Sequence, residues 1–88
     1  MANNLSDRRF AALRTQGYLG ATNEMMVAYL KANGAVSSNL TMAWFQALRA
    51  VPLTGTRNDM WFKRLRNKGY TGSLNDMELQ FWTAGGIW

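Results

Sequence analysis

The stretch Gly69, Tyr70, Thr71, Gly72, Ser73, Leu74, Asn75, Asp76, Met77 decides how the rest of the chain is read, because it occurs three times. Gly17, Tyr18, Leu19, Gly20, Ala21, Thr22, Asn23, Glu24, Met25 repeats its pattern, and Pro52, Leu53, Thr54, Gly55, Thr56, Arg57, Asn58, Asp59, Met60 repeats it again. Extended both ways, the register gives five units anchored at Asp7, Glu24, Met42, Asp59 and Asp76, with spacings of 17, 18, 17 and 17 residues. A period this short fits one helix and one connection, a unit that can bury its apolar face only against its neighbours.

Both ends of each unit carry helix signals. Three residues before the anchors stand Asn4, Ala21, Asn39, Thr56 and Ser73, four of which have a side-chain oxygen able to accept a first-turn N–H. The acids Asp7, Glu24, Asp59 and Asp76 then fall at the third helical position, as in a capping box, where they also meet the positive end of the helix dipole. Ten residues after the anchors come Gly17, Gly34, Pro52, Gly69 and Gly86, four glycines able to take positive φ and one proline that cannot continue a helix. The expectation is an all-α protein of five short capped helices, near 5–16, 22–33, 40–51, 57–68 and 74–85, packed as a small bundle or helical array. The single domain spans 1–88, with units at about 4–17, 21–34, 39–52, 56–69 and 73–86 and an apolar tail at 87–88.

Two apolar columns are expected to form the core face. Three after the anchor are Phe10, Val27, Phe45, Phe62 and Leu79, and six after it are Leu13, Leu30, Leu48, Leu65 and Trp82. Tyr18, Ala35, Leu53, Tyr70 and Ile87 are expected to fold back over the last helical turns.

Composition restricts chemistry. The 88 residues include no His and no Cys, so the commonest general base, thiolate metal sites and disulfides are all missing. Four of the five acids are explained as helix-start residues, which leaves Glu78 as a lone exposed acid and no catalytic or metal-ligating set. No enzyme activity, cofactor or metal is expected. The turns Gly17–Gly20 and Gly69–Gly72 precede helix starts, yet each is followed by an acid that repels phosphate. The apolar run Phe10–Leu13 is too short for a signal-peptide core or a membrane span, so no membrane partner is expected.

Ten Lys and Arg against five Asp and Glu give a net charge of +5. Arg14, Lys31, Arg49 and Arg66 form a column at helix C-termini, where the dipole favours cations. The fourth helix concentrates Arg57, Lys63, Arg64, Arg66 and Lys68 around Trp61 and Phe62, a composition that suits an acidic protein surface or, as the second choice, a nucleic-acid backbone. Four Trp, four Phe, three Tyr and six Met exceed what five short helices need for a core. Adjacent pairs such as Trp44–Phe45, Trp61–Phe62 and Ile87–Trp88 cannot both point inward, so outward-facing residues are expected to bind partners. The candidate partner-binding set is Arg57, Trp61, Lys63, Arg64, Lys68, Trp44, Trp82 and Trp88, with Trp88 as a plug at the end of the Gly85–Gly86 tether.

The string at 69–77 resembles short helical repeats of small virion-associated or tail-related proteins of tailed bacteriophages. The resemblance runs through three clear and two weaker copies and marks a fold unit without catalytic residues. It implies a virion structural protein acting as adaptor, decoration or fibre-anchoring subunit, made in the host cytoplasm and contacting other virion proteins or further copies of itself. The third unit departs from the pattern, with Met42 at the acidic position and Pro52 at the glycine. A weaker likeness is to the helical cell-wall-binding repeats of phage lysins, which also turn at a Gly-Tyr pair.

Overall fold

The computed structural model describes residues 4–88 and holds five helices and no strand among them: α1 Leu5–Thr15, α2 Thr22–Lys31, α3 Leu40–Arg49, α4 Arg57–Asn67 and α5 Leu74–Thr83. Each starts where the sequence signals place it. Asn4 Oδ1, Asn39 Oδ1, Thr56 Oγ1 and Ser73 Oγ accept the amides of Asp7, Met42, Asp59 and Asp76 at 2.8, 3.1, 3.2 and 3.2 Å. Each such cap is worth about 1 kcal/mol. Ala21 has no oxygen to offer, and there Glu24 works from the other side, its Oε1 accepting the Ala21 amide at 3.0 Å.

The helix ends also recur. The amides of Tyr18, Ala35, Leu53 and Tyr70 donate to the carbonyls of Leu13, Leu30, Leu48 and Leu65, five residues back, at 3.0–3.2 Å. Gly17, Gly34 and Gly69 sit at the expected positive-φ positions. The third unit makes the same closing bond although Pro52 replaces the glycine and follows a cis peptide.

The last unit departs from the expected register. Gly85, not Gly86, takes the first positive φ past α5, at 111°, and the Gly86 amide donates to the carbonyl of Phe81 at 2.9 Å. The stop therefore comes one residue early, and everything after it is shifted. Gly86 is buried, Ile87 is 67% exposed instead of folding back, and Trp88 turns into the molecule. A methyl group on Gly86 would lie 2.4 Å from the Trp82 ring, so this approach is open only to glycine.

The helix backbones approach closely only between neighbours in sequence, and α5 returns to pack on α1, closing a ring of 36 × 30 × 16 Å. Closure has a physical reason. An open array of five such units would leave an apolar flank bare at each end, whereas in a ring the first and last units cover each other.

A helix that meets two neighbours and a central hub buries a wide sector. Four columns are inside: Met25, Ala43, Met60 and Met77 one after the anchor; Met26, Trp44 and Trp61 two after; Ala12, Tyr29, Ala47 and Phe81 five after; Leu13, Leu30, Leu48, Leu65 and Trp82 six after. At 3.6 residues per turn these columns span about 140°. The column three after the anchor lies outside that sector. Phe10, Phe45 and Phe62 are exposed and Val27 and Leu79 half-buried, which corrects the expectation that this column forms the core.

Aromatic rings fill the hub. Trp44 and Trp61 meet at 4.7 Å between centroids, Trp61 meets Phe81 at 5.3 Å, and Phe81 meets Trp82 at 4.8 Å. Tyr29 of α2 reaches Trp82 of α5 at 5.6 Å, so helices that are not neighbours touch through their side chains.

Candidate interaction surface

Three of the tryptophans expected to face outward face inward. Trp44, Trp61 and Trp82 are 8, 4 and 2% exposed, each lying in a buried column of its helix. Trp88 is half-buried and plugs the hub of its own ring, stacked on Trp61 at 5.8 Å with planes 16° apart. Its segment is tied down three ways. Tyr29 Oη donates to the Gly86 carbonyl at 2.5 Å, Gln16 Nε2 donates to the Gly85 carbonyl at 2.8 Å, and Arg64 donates to the Trp88 carbonyl oxygen. Burial raises the Tyr29 phenol well above its ordinary pKa, keeping it a neutral donor.

Arg64 is thereby also removed from the candidate surface. It is half-buried, and its guanidinium lies 5.7 Å from the Trp88 ring. Arg57, Lys63 and Lys68 remain exposed on α4. The Lys68 ammonium stands 6.0 Å from the Phe81 ring, and its pKa is lowered by partial burial and then by the nearby Arg64.

Glu78 is half-buried and not exposed as the sequence reading expected. It occupies the column that holds Trp44 and Trp61 in the two units before it. Burial raises its pKa, opposed by a hydrogen bond from Trp61 and by the charges of Arg9 and Arg57.

What does face outward is a repeated pair. Phe10, Phe45 and Phe62 stand three after their anchors, and Arg14, Arg49 and Arg66 one helical turn further on lie 4.8, 5.5 and 5.7 Å from the ring centroids. The second unit substitutes Val27 and Lys31, with the Lys31 ammonium on Ser38 Oγ at 2.9 Å. The fifth has Leu79 and the uncharged Thr83. Equivalent positions of a closed ring recur around it, so three of the five units present an exposed Phe beside an arginine, the second keeps the sequence pattern with a half-buried Val27, and the fifth lacks the cation.

Each of the three arginines lies over an aromatic ring, and Arg14 also donates from Nη2 to the Gly20 carbonyl at 3.4 Å. Both columns are visible in the sequence, where spacing alone points one to the core and the other to the helix dipole. The i, i+4 relation between them was the signal that linked them.

Among the described residues no group of three or more His, Cys, Asp or Glu side chains comes together, and no helix is long and apolar enough to cross a membrane. No protein-family model, curated protein or solved structure matches the chain.

Proposed function

We propose that this chain is a non-enzymatic binding module that joins proteins through the Phe–Arg pairs on the outside of its ring. The observation that carries this reading is their recurrence at 4.8–5.7 Å in three of five units, with Val27–Lys31 as a fourth copy. Exposed Phe beside Arg at equivalent positions of three units supplies the aromatic and guanidinium groups that interface centres use.

The repeat at 69–77 supports placing this module in a bacteriophage particle as an adaptor, decoration or fibre-anchoring subunit. Mass spectrometry of purified particles tests that placement: the chain is expected in a fixed ratio to the other virion proteins, and its absence sinks the proposal. The triple substitution Arg14→Gln, Arg49→Gln, Arg66→Gln is expected to detach it from the particle while leaving its helical content intact.

Exposed Arg57, Lys63 and Lys68 on α4 favour a second reading, nucleic-acid binding. Contact with about five phosphates gives a log affinity that falls with log salt at a slope near −4.5. A gel shift insensitive to salt, or no shift, removes this reading.

A further inference from the structure

The seam between α1 and α5 differs from the rest of the ring. Where the first, third and fourth units set an arginine over an aromatic ring, the fifth has Thr83, with Ala84 next to it, and α1 contributes Ala11 and Thr15. These short side chains leave two adjoining clefts of about 380 and 460 Å³, both walled by Arg8, Thr83 and Ala84. Tyr70 and Leu79 extend the apolar wall of the second.

Among the described residues Arg8 is the one cation in the lining of either cleft, and no acid lines them. Its Nη1 donates to Thr83 Oγ1 at 3.0 Å, which points the guanidinium at the seam, while its Nε is buried without a hydrogen-bond partner. The indole N–H of Trp82, a residue only 2% exposed that also lines the first cleft, has no partner either. Buried donors left unpaired cost free energy that an acceptor placed beside them would recover. Around them the walls are methyl groups and ring edges.

We propose that the α1–α5 seam is a binding site for an apolar segment of a partner protein that carries a carboxylate, the carboxylate pairing with Arg8 and the flanking aliphatic side chains filling the two clefts. Charge complementarity selects this occupant: a guanidinium in an acid-free, mostly apolar setting prefers a planar carboxylate. Clefts of this size take two or three side chains, so a short segment is sufficient. The site is separate from the Phe–Arg pairs, because the fifth unit lacks that pair.

The test uses the full chain, labelled with nitrogen-15, and two pools of capped pentapeptides. One pool has Asp fixed at the centre and Ala, Val, Leu or Ile elsewhere, and the other has Asn at the centre. The Asp pool is expected to shift the amide resonances of Ala11, Thr83 and Ala84 and to bind about tenfold more tightly than the Asn pool, the ratio for a hydrogen bond to a charged rather than a neutral acceptor. Arg8→Gln should erase that ratio, and Ala84→Leu should block both pools by filling the cleft. The Arg14→Gln, Arg49→Gln, Arg66→Gln variant should bind the Asp pool as the parent does, which separates this site from the proposed function. Equal affinity for the two pools, shifts confined to Phe10, Phe45 and Phe62, or no shift at millimolar peptide overturns the proposal. Preferential shifts of the seam by a short oligothymidylate in place of the peptides would overturn it in favour of nucleic acid.

Discussion

The hub and the outer surface of the ring are built from the same residue types and use them oppositely. Trp44 and Trp61 lie two places after their anchors and are buried against each other, while Phe45 and Phe62, the very next residues, are more than a third exposed and lie under Arg49 and Arg66. One residue of advance rotates a side chain by about 100° on a helix, enough to carry it out of a buried sector of about 140°. Aromatic character therefore does not say which side a residue takes in this molecule. Its phase relative to the anchor does.

The sharpest way to break the contrast is at the hub. Trp61→Ala removes a ring that touches Trp44, Phe81 and Trp88, and should cost about 3–5 kcal/mol in urea unfolding followed by circular dichroism. Gly86→Ala comes next. It combines a positive φ of 65° with a methyl group driven into the Trp82 ring, and about 2–4 kcal/mol is expected. Gly17→Ala is its control: the φ of 98° imposes a backbone cost there, but nothing lies within 4 Å of the added carbon, and about 1 kcal/mol should suffice.

Phe62→Ala probes the outer surface and should cost no more than about 0.5–1 kcal/mol, the worth of an exposed ring beneath a guanidinium. A loss as large as that of Trp61→Ala would erase the distinction between the two regions.

Glu78 lies between them and gives the smallest effect, one that depends on pH. A carboxyl whose pKa is raised on folding binds its proton more tightly in the folded state. Its unfavourable contribution is therefore present at neutral pH and fades as pH falls into the ordinary carboxylate range. Glu78→Gln should raise the melting temperature at pH 7 and match the parent at pH 4. A variant that melts lower at pH 7 would mean that the contacts with Trp61, Arg9 and Arg57 outweigh burial.

The helices were legible because their signals are local. Asn4, Asn39, Thr56 and Ser73 cap amides three residues away, and the glycines close turns across five. The core was legible in part. The Leu13, Leu30, Leu48, Leu65 column is buried as its spacing predicts, but Met25, Met60 and Met77 are buried outside the two expected columns and the Phe column is exposed. Periodicity gives the relative phase of apolar columns but not the width of the buried sector, which depends on how many neighbours a helix meets. The expectation that Trp44, Trp61 and Trp82 face outward fails for the same reason. A surplus of aromatics is a surplus only if the core is a two-helix interface, and a five-helix ring has a hub to fill.

By itself the sequence determined five helices, their starts, and four of their five stops, because capping bonds join residues a few positions apart whatever the rest of the chain does. Only the tertiary structure decided that the units close into a ring, that Trp88 fills its centre, that the final stop falls at Gly85, and that a cleft opens beside Arg8. Those outcomes rest on contacts such as Arg8 with Thr83 and Tyr29 with Gly86, 75 and 57 residues apart, which form only once every unit has found its neighbours.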